Sequence, residues 1–257
     1  MTSASRRARR TPLPAAAAPA VTLAASGRVP AIDALRGLAL VAMIAYHFAF
    51  DLAYFRVAAW DFYRDPFWLV ARTLILSSFL LLAGVSLVLA QRNERGRAQF
   101  WRHVATIAAC ALAVSIASYF VFPRSYIWFG VLHAIALSLV LIRPLAARPR
   151  IALAAGIAAI VLGNFVAFAW FDSRAWGWLG FMTAKPVTED YVPLFPWIGV
   201  MLIGIAGGHA LVRNGFRAVA PFALAPRVLA WLGRHSLAVY MLHQPLLIGL
   251  LYAVVRR

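Results

Sequence analysis

Residues 34–55 read ALRGLALVAMIAYHFAFDLAYF, and this stretch decides the fold class. It is long enough to cross a bilayer, because a spanning helix needs about 20 mostly apolar residues. Six further stretches of similar character follow it along the chain. The sequence therefore predicts an all-α, polytopic transmembrane helical bundle with about seven spans, at residues 34–55, 67–90, 103–122, 125–142, 151–171, 191–212 and 235–255.

The composition of the whole chain is typical of a membrane protein. Of its 257 residues, 63% are hydrophobic and 13% are charged, and the mean hydropathy is +0.80. A soluble domain is closer to one half apolar and one quarter charged. So much apolar surface needs the lipid bilayer to cover it. The single cysteine, Cys110, excludes a disulfide within the chain.

The formal net charge of +17 does not indicate nucleic-acid binding, because the charges form short runs between apolar segments rather than one patch. With the N-terminus placed in the cytoplasm, most of the arginines fall on cytoplasmic segments, as the positive-inside rule requires. Seven spans then place the C-terminus outside. Many tyrosines and tryptophans fall near the outer ends of the spans, where such rings favour the headgroup region.

Two regions of the chain fall outside the predicted spans in an informative way. Residues 1–30 combine five arginines with an Ala/Pro-rich stretch, which predicts a disordered basic cytoplasmic tail. Residues 31–257 are expected to form one transmembrane domain. Within it, the loop at 213–234 is expected to hold a short helix at the membrane interface.

The first span carries three ionisable residues, Arg36, His47 and Asp51. Such groups are costly inside a membrane and indicate function by default. Arg36 and His47 share one helix face about 16 Å apart, and Asp51 lies one turn beyond His47. A carboxylate beside a histidine can orient the ring and stabilise its protonated form, as in acyl and proton transfer. An interhelical hydrogen-bond lock, with Arg36 as a positive-inside anchor, is the equally weighted structural interpretation.

Three further candidate site residues lie within the predicted spans: Arg72, His133 and His243. His133 and His243 reach a depth similar to that of His47, so the three histidines could converge on one site. Arg72 lies near the outer end of the second span. A structural salt bridge with Asp51 or an acidic loop residue is the leading interpretation of Arg72.

Several blocks of the sequence resemble one known family. They are Ile32 to Leu40 with Tyr46, His47 and Asp51; Arg72 to Leu87; Gly130 to Leu137; Pro193 to Gly199; and Leu232 to Pro245. In this order, they resemble the bacterial heparan-alpha-glucosaminide N-acetyltransferase catalytic-domain family. The spacing of Arg36 and His47 is also similar to the arginine–histidine motif of the wider acyltransferase-3 group of membrane enzymes.

The resemblance implies acyl transfer across the membrane, from cytoplasmic acyl-CoA to an acceptor at the outer face. It implies that His47 is the catalytic histidine, that Asp51 orients it, and that Arg36 lies on the acyl-CoA side. Our hypothesis adds Arg72, His133 and His243 as further residues that bind acyl-CoA or the acceptor. The lysosomal eukaryotic member of the family carries an asparagine in place of His47 and a key histidine in a later segment. Residues 56–60 hold no histidine here, so the heparan substrate is not carried over.

The functional hypothesis is therefore an acyl-CoA-dependent acyltransferase of the cell inner membrane, acting on a sugar or glycan. Acyl-CoA, most simply acetyl-CoA, would be a co-substrate, with no permanently bound cofactor and no metal. The sequence leaves homo-oligomer formation open. Two alternatives stay open as well. One is a haem- or proton-carrying bundle that uses His47, His133 and His243, and the other is a non-catalytic transporter.

Overall fold

The computed structural model describes residues 28–92 and 96–255, and their regular structure is helical apart from a single β-bridge between Phe129 and Tyr191. The helices in these residues are α1 Pro30–Tyr54, α2 Pro66–Arg92, α3 Arg97–Val121, α4 Val131–Ile142, α5 Pro149–Phe165, α6 Arg174–Gly177, α7 Leu194–Arg213, α8 Arg227–Arg234 and α9 Ser236–Val255. Short 3₁₀ segments occur at Arg143–Leu145, Ala169–Asp172 and Arg217–Leu224. The all-α prediction is confirmed.

Each of the seven predicted spans contains one apolar helix. Helices α1, α2, α3, α7 and α9 are long and apolar enough to cross a membrane, whereas α4 and α5 are apolar but shorter. Large apolar side chains are exposed on these helices, among them Leu74, Phe120, Ile157 and Leu246. Lipid covers surfaces of this kind, because in water such a large apolar area would be exposed to solvent. The chain is a multi-pass membrane protein.

The start of the fourth span differs from the prediction. Helix α4 begins at Val131 rather than near residue 125, because two serines of α3 hold the preceding residues in a non-helical conformation. The Ser115 hydroxyl donates to the Ile127 carbonyl at 2.6 Å, and the Ile127 N–H donates to Ser118 Oγ at 3.0 Å. The fifth helix also ends early, at Phe165 rather than at residue 171.

Glycines bring the central helices into close contact. A side chain added at Gly84 of α2 would overlap the Met201 carbonyl of α7, and one added at Gly204 of α7 would overlap the Leu81 carbonyl of α2. Helices α5 and α7 approach in the same way at Gly156. Small residues let helix backbones approach closely within a membrane, where packing rather than water drives association. These contacts place α7 between α2 and α5.

Helix α8, which begins at Arg227 and ends at Arg234, packs against the start of α1, which carries Arg36. This end of the bundle is called the basic end below. A side chain at Gly37 would overlap the Leu229 carbonyl, and one at Gly233 would overlap the Asp33 carbonyl. The expected short helix within residues 213–234 is therefore present, as α8 and the 3₁₀ segment before it. Val29, which falls within the predicted tail, is buried against this end. Residues 1–27 of that tail lie outside the described residues.

Candidate active site

Two of the predicted site histidines meet between α1 and α9. The rings of His47 and His243 have their centroids 5.0 Å apart and are tilted by 58°. Helix α8 leads directly into α9, so the packing of α8 on α1 also brings α9 beside α1. Within the described residues, His47 forms no hydrogen bond of its own, which leaves its ring nitrogens free to bind a substrate.

Asp51 lies next to this pair but makes a different contact from the expected one. Its Oδ1 atom accepts a hydrogen bond of 2.8 Å from Gln244 Nε2. The expected hydrogen bond from His47 to Asp51 is not formed in the described part of the chain. Gln244 follows His243 on α9, so Asp51 holds α9 in position and only indirectly positions the histidine pair. Gln244 lies within the sequence block Leu232 to Pro245, and nothing in the sequence indicates its partner on α1.

Three buried polar atoms of this cluster have no hydrogen-bond partner: Asp51 Oδ2, His243 Nε2 and Gln244 Oε1. Asp51 is 3% exposed and His243 is 8% exposed. The other ring nitrogen of His243, Nδ1, donates to the Tyr240 carbonyl at 2.6 Å, so Nε2 presents a lone pair when the ring is neutral. An unpaired buried polar group costs about 1–3 kcal/mol. Such a concentration of unpaired atoms is typical of a site built to bind a polar ligand.

Aromatic side chains surround the histidine pair. Tyr46 lies edge-on to His47 with a centroid distance of 5.9 Å, and it also contacts Phe62 and Trp68. On the α9 side, the Tyr240 ring lies 5.6 Å from that of His243. Rings of this kind exclude water and strengthen electrostatic interactions within the site.

His133 does not join the other two histidines. Its Nδ1 atom accepts the Gly130 N–H at 3.2 Å, and its Nε2 atom lies 3.2 Å from Ser115 Oγ. The Ser115 hydroxyl already donates to a carbonyl, so Nε2–H is the donor in that contact. Both nitrogens of His133 are therefore used to fix the start of α4 against α3. The expected convergence of three histidines is reduced to a pair.

Arg36 is held within the basic end of the bundle. Its guanidinium donates to Ser86 Oγ of α2 at 2.5 Å and lies 3.4 Å from Asp33 Oδ1. The Ser86 hydroxyl in turn donates to the Leu82 carbonyl. Arg36 thus joins α1 to α2, and these contacts use part of its hydrogen-bonding capacity.

Arg72 is exposed and forms no ion pair within 4.0 Å in the described residues; the expected salt bridge is absent there. Its charge acts instead on the outer loop before α7. Burial raises the pKa of Asp190, whereas the Val131 N–H and the charges of Lys185 and Arg72 lower it. The Asp190 carboxylate accepts that N–H at 2.8 Å, at the start of α4. Val131 and Asp190 are 59 residues apart, and no local sequence pattern links them. Asp190 was therefore not among the predicted site residues.

The haem-carrying, proton-carrying and transporter alternatives stay predictions. Among residues 28–92 and 96–255, no group of three or more His, Cys, Asp or Glu side chains could hold a metal ion.

A comparison with known protein families identifies the family of the chain. Residues 28–245 match the family described as heparan-alpha-glucosaminide N-acetyltransferase, catalytic. The chain belongs to this family. The match includes His47 and Asp51 on α1 and His243 and Gln244 on α9, so the whole polar cluster falls within it. The resemblance predicted from the sequence is confirmed.

Membership of this family assigns the chain to the membrane acetyltransferases. Searches of curated proteins and of solved structures found no match to the chain. The roles of His47, Asp51, Arg36, Arg72, His133 and His243 stay predictions, as does the transmembrane domain boundary at residue 31.

Proposed function

We propose that the chain transfers an acyl group, most simply acetyl, from acyl-CoA to a hydroxyl or amine of a sugar or glycan. The observation that carries this proposal is the contact between His47 and His243 beside the unpaired buried carboxylate oxygen of Asp51. A base, a second imidazole and a buried negative charge are the groups that proton transfer during acyl transfer requires. Family membership supports the same reaction class.

In the proposed mechanism, His47 removes the proton from the acceptor oxygen or nitrogen as that atom attacks the thioester carbonyl carbon. A carbon–oxygen or carbon–nitrogen bond forms and the carbon–sulfur bond breaks. The leaving thiolate takes the proton from the imidazolium, which gives free CoA and the acylated acceptor. His243 contacts the His47 ring and shares the proton, while Asp51, one turn away, stabilises the positive charge.

The proposed orientation puts the N-terminus in the cytoplasm and the Asp51 end of α1 at the outer face of the cell inner membrane. The arginine distribution supports this orientation. The thioester would then approach from the basic end and the carbohydrate acceptor from the opposite end. A glucosamine of heparan is not proposed as the acceptor, since residues 56–60 hold no histidine.

The test uses sealed membrane vesicles that contain the full chain, supplied with radiolabelled acetyl-CoA on the side of the N-terminus and glucosamine as the probe acceptor. His47→Ala should reduce label transfer by roughly 10²–10⁴-fold, the usual contribution of a general base. Phe48→Ala is the matched control, because Phe48 is the next residue on α1 and is exposed. Unchanged transfer by the His47 variant, with the control also unchanged, would refute the mechanism.

A further inference from the structure

A second polar feature lies at the basic end, about two-thirds of the length of α1 away from the histidine pair. It is a cavity of about 250 Å³ between the start of α1, the 3₁₀ segment Arg217–Leu224 and α8. The phosphate cavity, as it is called below, is lined by Pro30, Ala34, Phe222, Ala223, Ala225, Arg227, Ala230 and Arg234. The lining of the cavity therefore combines two arginines, small apolar residues and one aromatic ring.

The geometry of α8 explains why both arginines reach this cavity. Positions 227, 230 and 234 are three and seven residues apart, so they lie on one face of the helix. The adjacent face is fixed on α1 by the glycine contacts at Gly37 and Gly233. Arg227 and Arg234 are thus held two turns apart on a rigidly packed helix.

The two arginines of the cavity differ from Arg36 in their partners. In the described part of the chain, neither Arg227 nor Arg234 has a carboxylate within 4.0 Å, and both are exposed. Arg36 is held by Ser86 and Asp33. Two guanidiniums without a carboxylate partner that line one cavity favour an anionic ligand, and their fork geometry suits phosphate oxygens. The positive end of the α1 dipole adds to the same field.

We propose that the phosphate cavity binds the phosphate groups of the acyl donor, an inference that rests on the proposed acyltransferase function. Arg227 and Arg234 hold the phosphates, and the Phe222 ring offers a surface on which a nucleotide base stacks. Ala34 and His47 are 13 residues apart on α1, which is about 20 Å along the helix axis. A donor whose phosphates and thioester are joined by a long arm suits this separation. Arg36 becomes a structural residue in this account.

The experiment measures binding of coenzyme A and of uncharged pantetheine to the full chain in phosphatidylcholine nanodiscs. The double variant Arg227→Ala/Arg234→Ala should weaken coenzyme A binding by at least about tenfold, since each lost charge-assisted hydrogen bond is worth that much. Pantetheine binding should change by less than twofold. The matched control is Arg213→Ala/Arg217→Ala, which removes the same charge from exposed arginines that do not line the cavity, and it should bind coenzyme A like the unmodified chain.

Several outcomes would overturn the inference. Equal coenzyme A affinity for the double variant and the unmodified chain would do so, and so would a parallel loss of pantetheine binding. The comparison is repeated with phosphatidylglycerol in the nanodiscs; an effect of the two arginines that appears only with this anionic lipid would assign the cavity to a lipid headgroup instead.

Acetyl transfer distinguishes this inference from the proposed function itself. If the unmodified chain transfers acetyl and the double variant keeps its KM for acetyl-CoA, the inference fails while the proposed function stands. If the unmodified chain neither binds coenzyme A nor transfers acetyl, both fail. Thermal melting of each variant in the same nanodiscs shows whether it is folded.

Discussion

Two histidines that the sequence predicts at similar depth, His133 in α4 and His243 in α9, occupy different chemical environments. Both ring nitrogens of His133 are engaged, one by the Gly130 N–H and the other by the Ser115 hydroxyl. His243 uses Nδ1 on the Tyr240 carbonyl, while its Nε2 is buried without a partner and its ring contacts His47. The difference shows that local hydrogen bonding, rather than depth in the membrane, separates a structural histidine from a candidate catalytic one.

Among the variants that test this comparison of two histidines, the largest effect should come from removing the free nitrogen of His243. In His243→Asn, the side-chain amide can still donate to the Tyr240 carbonyl, but no base is left. Acetyl transfer should fall by roughly 10²–10³-fold, because general acid–base groups contribute at this scale. The rate is measured with radiolabelled acetyl-CoA, and the melting temperature should stay close to that of the unmodified chain. A fully active His243→Asn variant would place His243 in the same class as His133.

A smaller loss is expected from Asp51→Asn. The asparagine keeps an oxygen that can accept from Gln244 Nε2, so the contact between α1 and α9 survives, while the negative charge that stabilises an imidazolium is lost. Transfer should drop by about 10- to 100-fold, as expected for one hydrogen bond or contact to a charged group. The measurement is kcat at saturating acetyl-CoA. If Gln244→Ala lowers the rate as much as Asp51→Asn does, the carboxylate acts through helix positioning instead of through its charge.

His133→Ala should give the opposite pattern. It removes the acceptor for the Gly130 N–H and the donor to Ser115, so the free energy of unfolding should fall by about 1–3 kcal/mol. Transfer per folded molecule should change by less than a factor of two or so, since His133 does not contact the histidine pair. Chemical denaturation in detergent gives the stability. A large loss of kcat in folded His133→Ala protein would contradict the structural role, and His133→Asn, which keeps an acceptor, should recover part of the stability.

The smallest effect concerns Asp190, whose carboxylate also binds the start of α4. Burial raises the pKa of this carboxyl in the folded protein. The folded state therefore favours the protonated form. The stability from this group is fully present below the pKa of the unfolded chain, and it is lost as the pH rises through the folded pKa. Asp190→Asn should flatten the fall in melting temperature between about pH 4 and the folded pKa, while keeping an oxygen that can accept the Val131 N–H. An unaltered pH dependence would show that another group controls it.

Much of the architecture could be predicted from local sequence patterns. The apolar stretches give seven helices, and the short helix expected in the loop at 213–234 is α8. The errors fall where side chains compete with the helical backbone. Ser115 and Ser118 hold Ile127 out of α4, so the fourth span starts six residues later than its hydrophobicity indicates. Apolar character alone does not register such side-chain hydrogen bonds.

In the candidate site, too, local sequence patterns predicted the features of one helix but not the contacts between distant segments. The sequence placed Arg36, His47 and Asp51 on one face of α1, because helical periodicity is fixed within a few residues. It did not reveal that Asp51 binds Gln244, 193 positions away, or that His133 binds Ser115 instead of joining His47.

By itself, then, the sequence determined a multi-pass helical membrane protein, the family to which it belongs, and one helix with a polar face. The tertiary structure decided which polar residues meet. It did so through shape, since the glycines of α1 and α8 allow a close approach that fixes where α9 begins beside α1. Hydrophobicity and helical period act over one turn or one span, whereas the choice of partner depends on packing between distant segments.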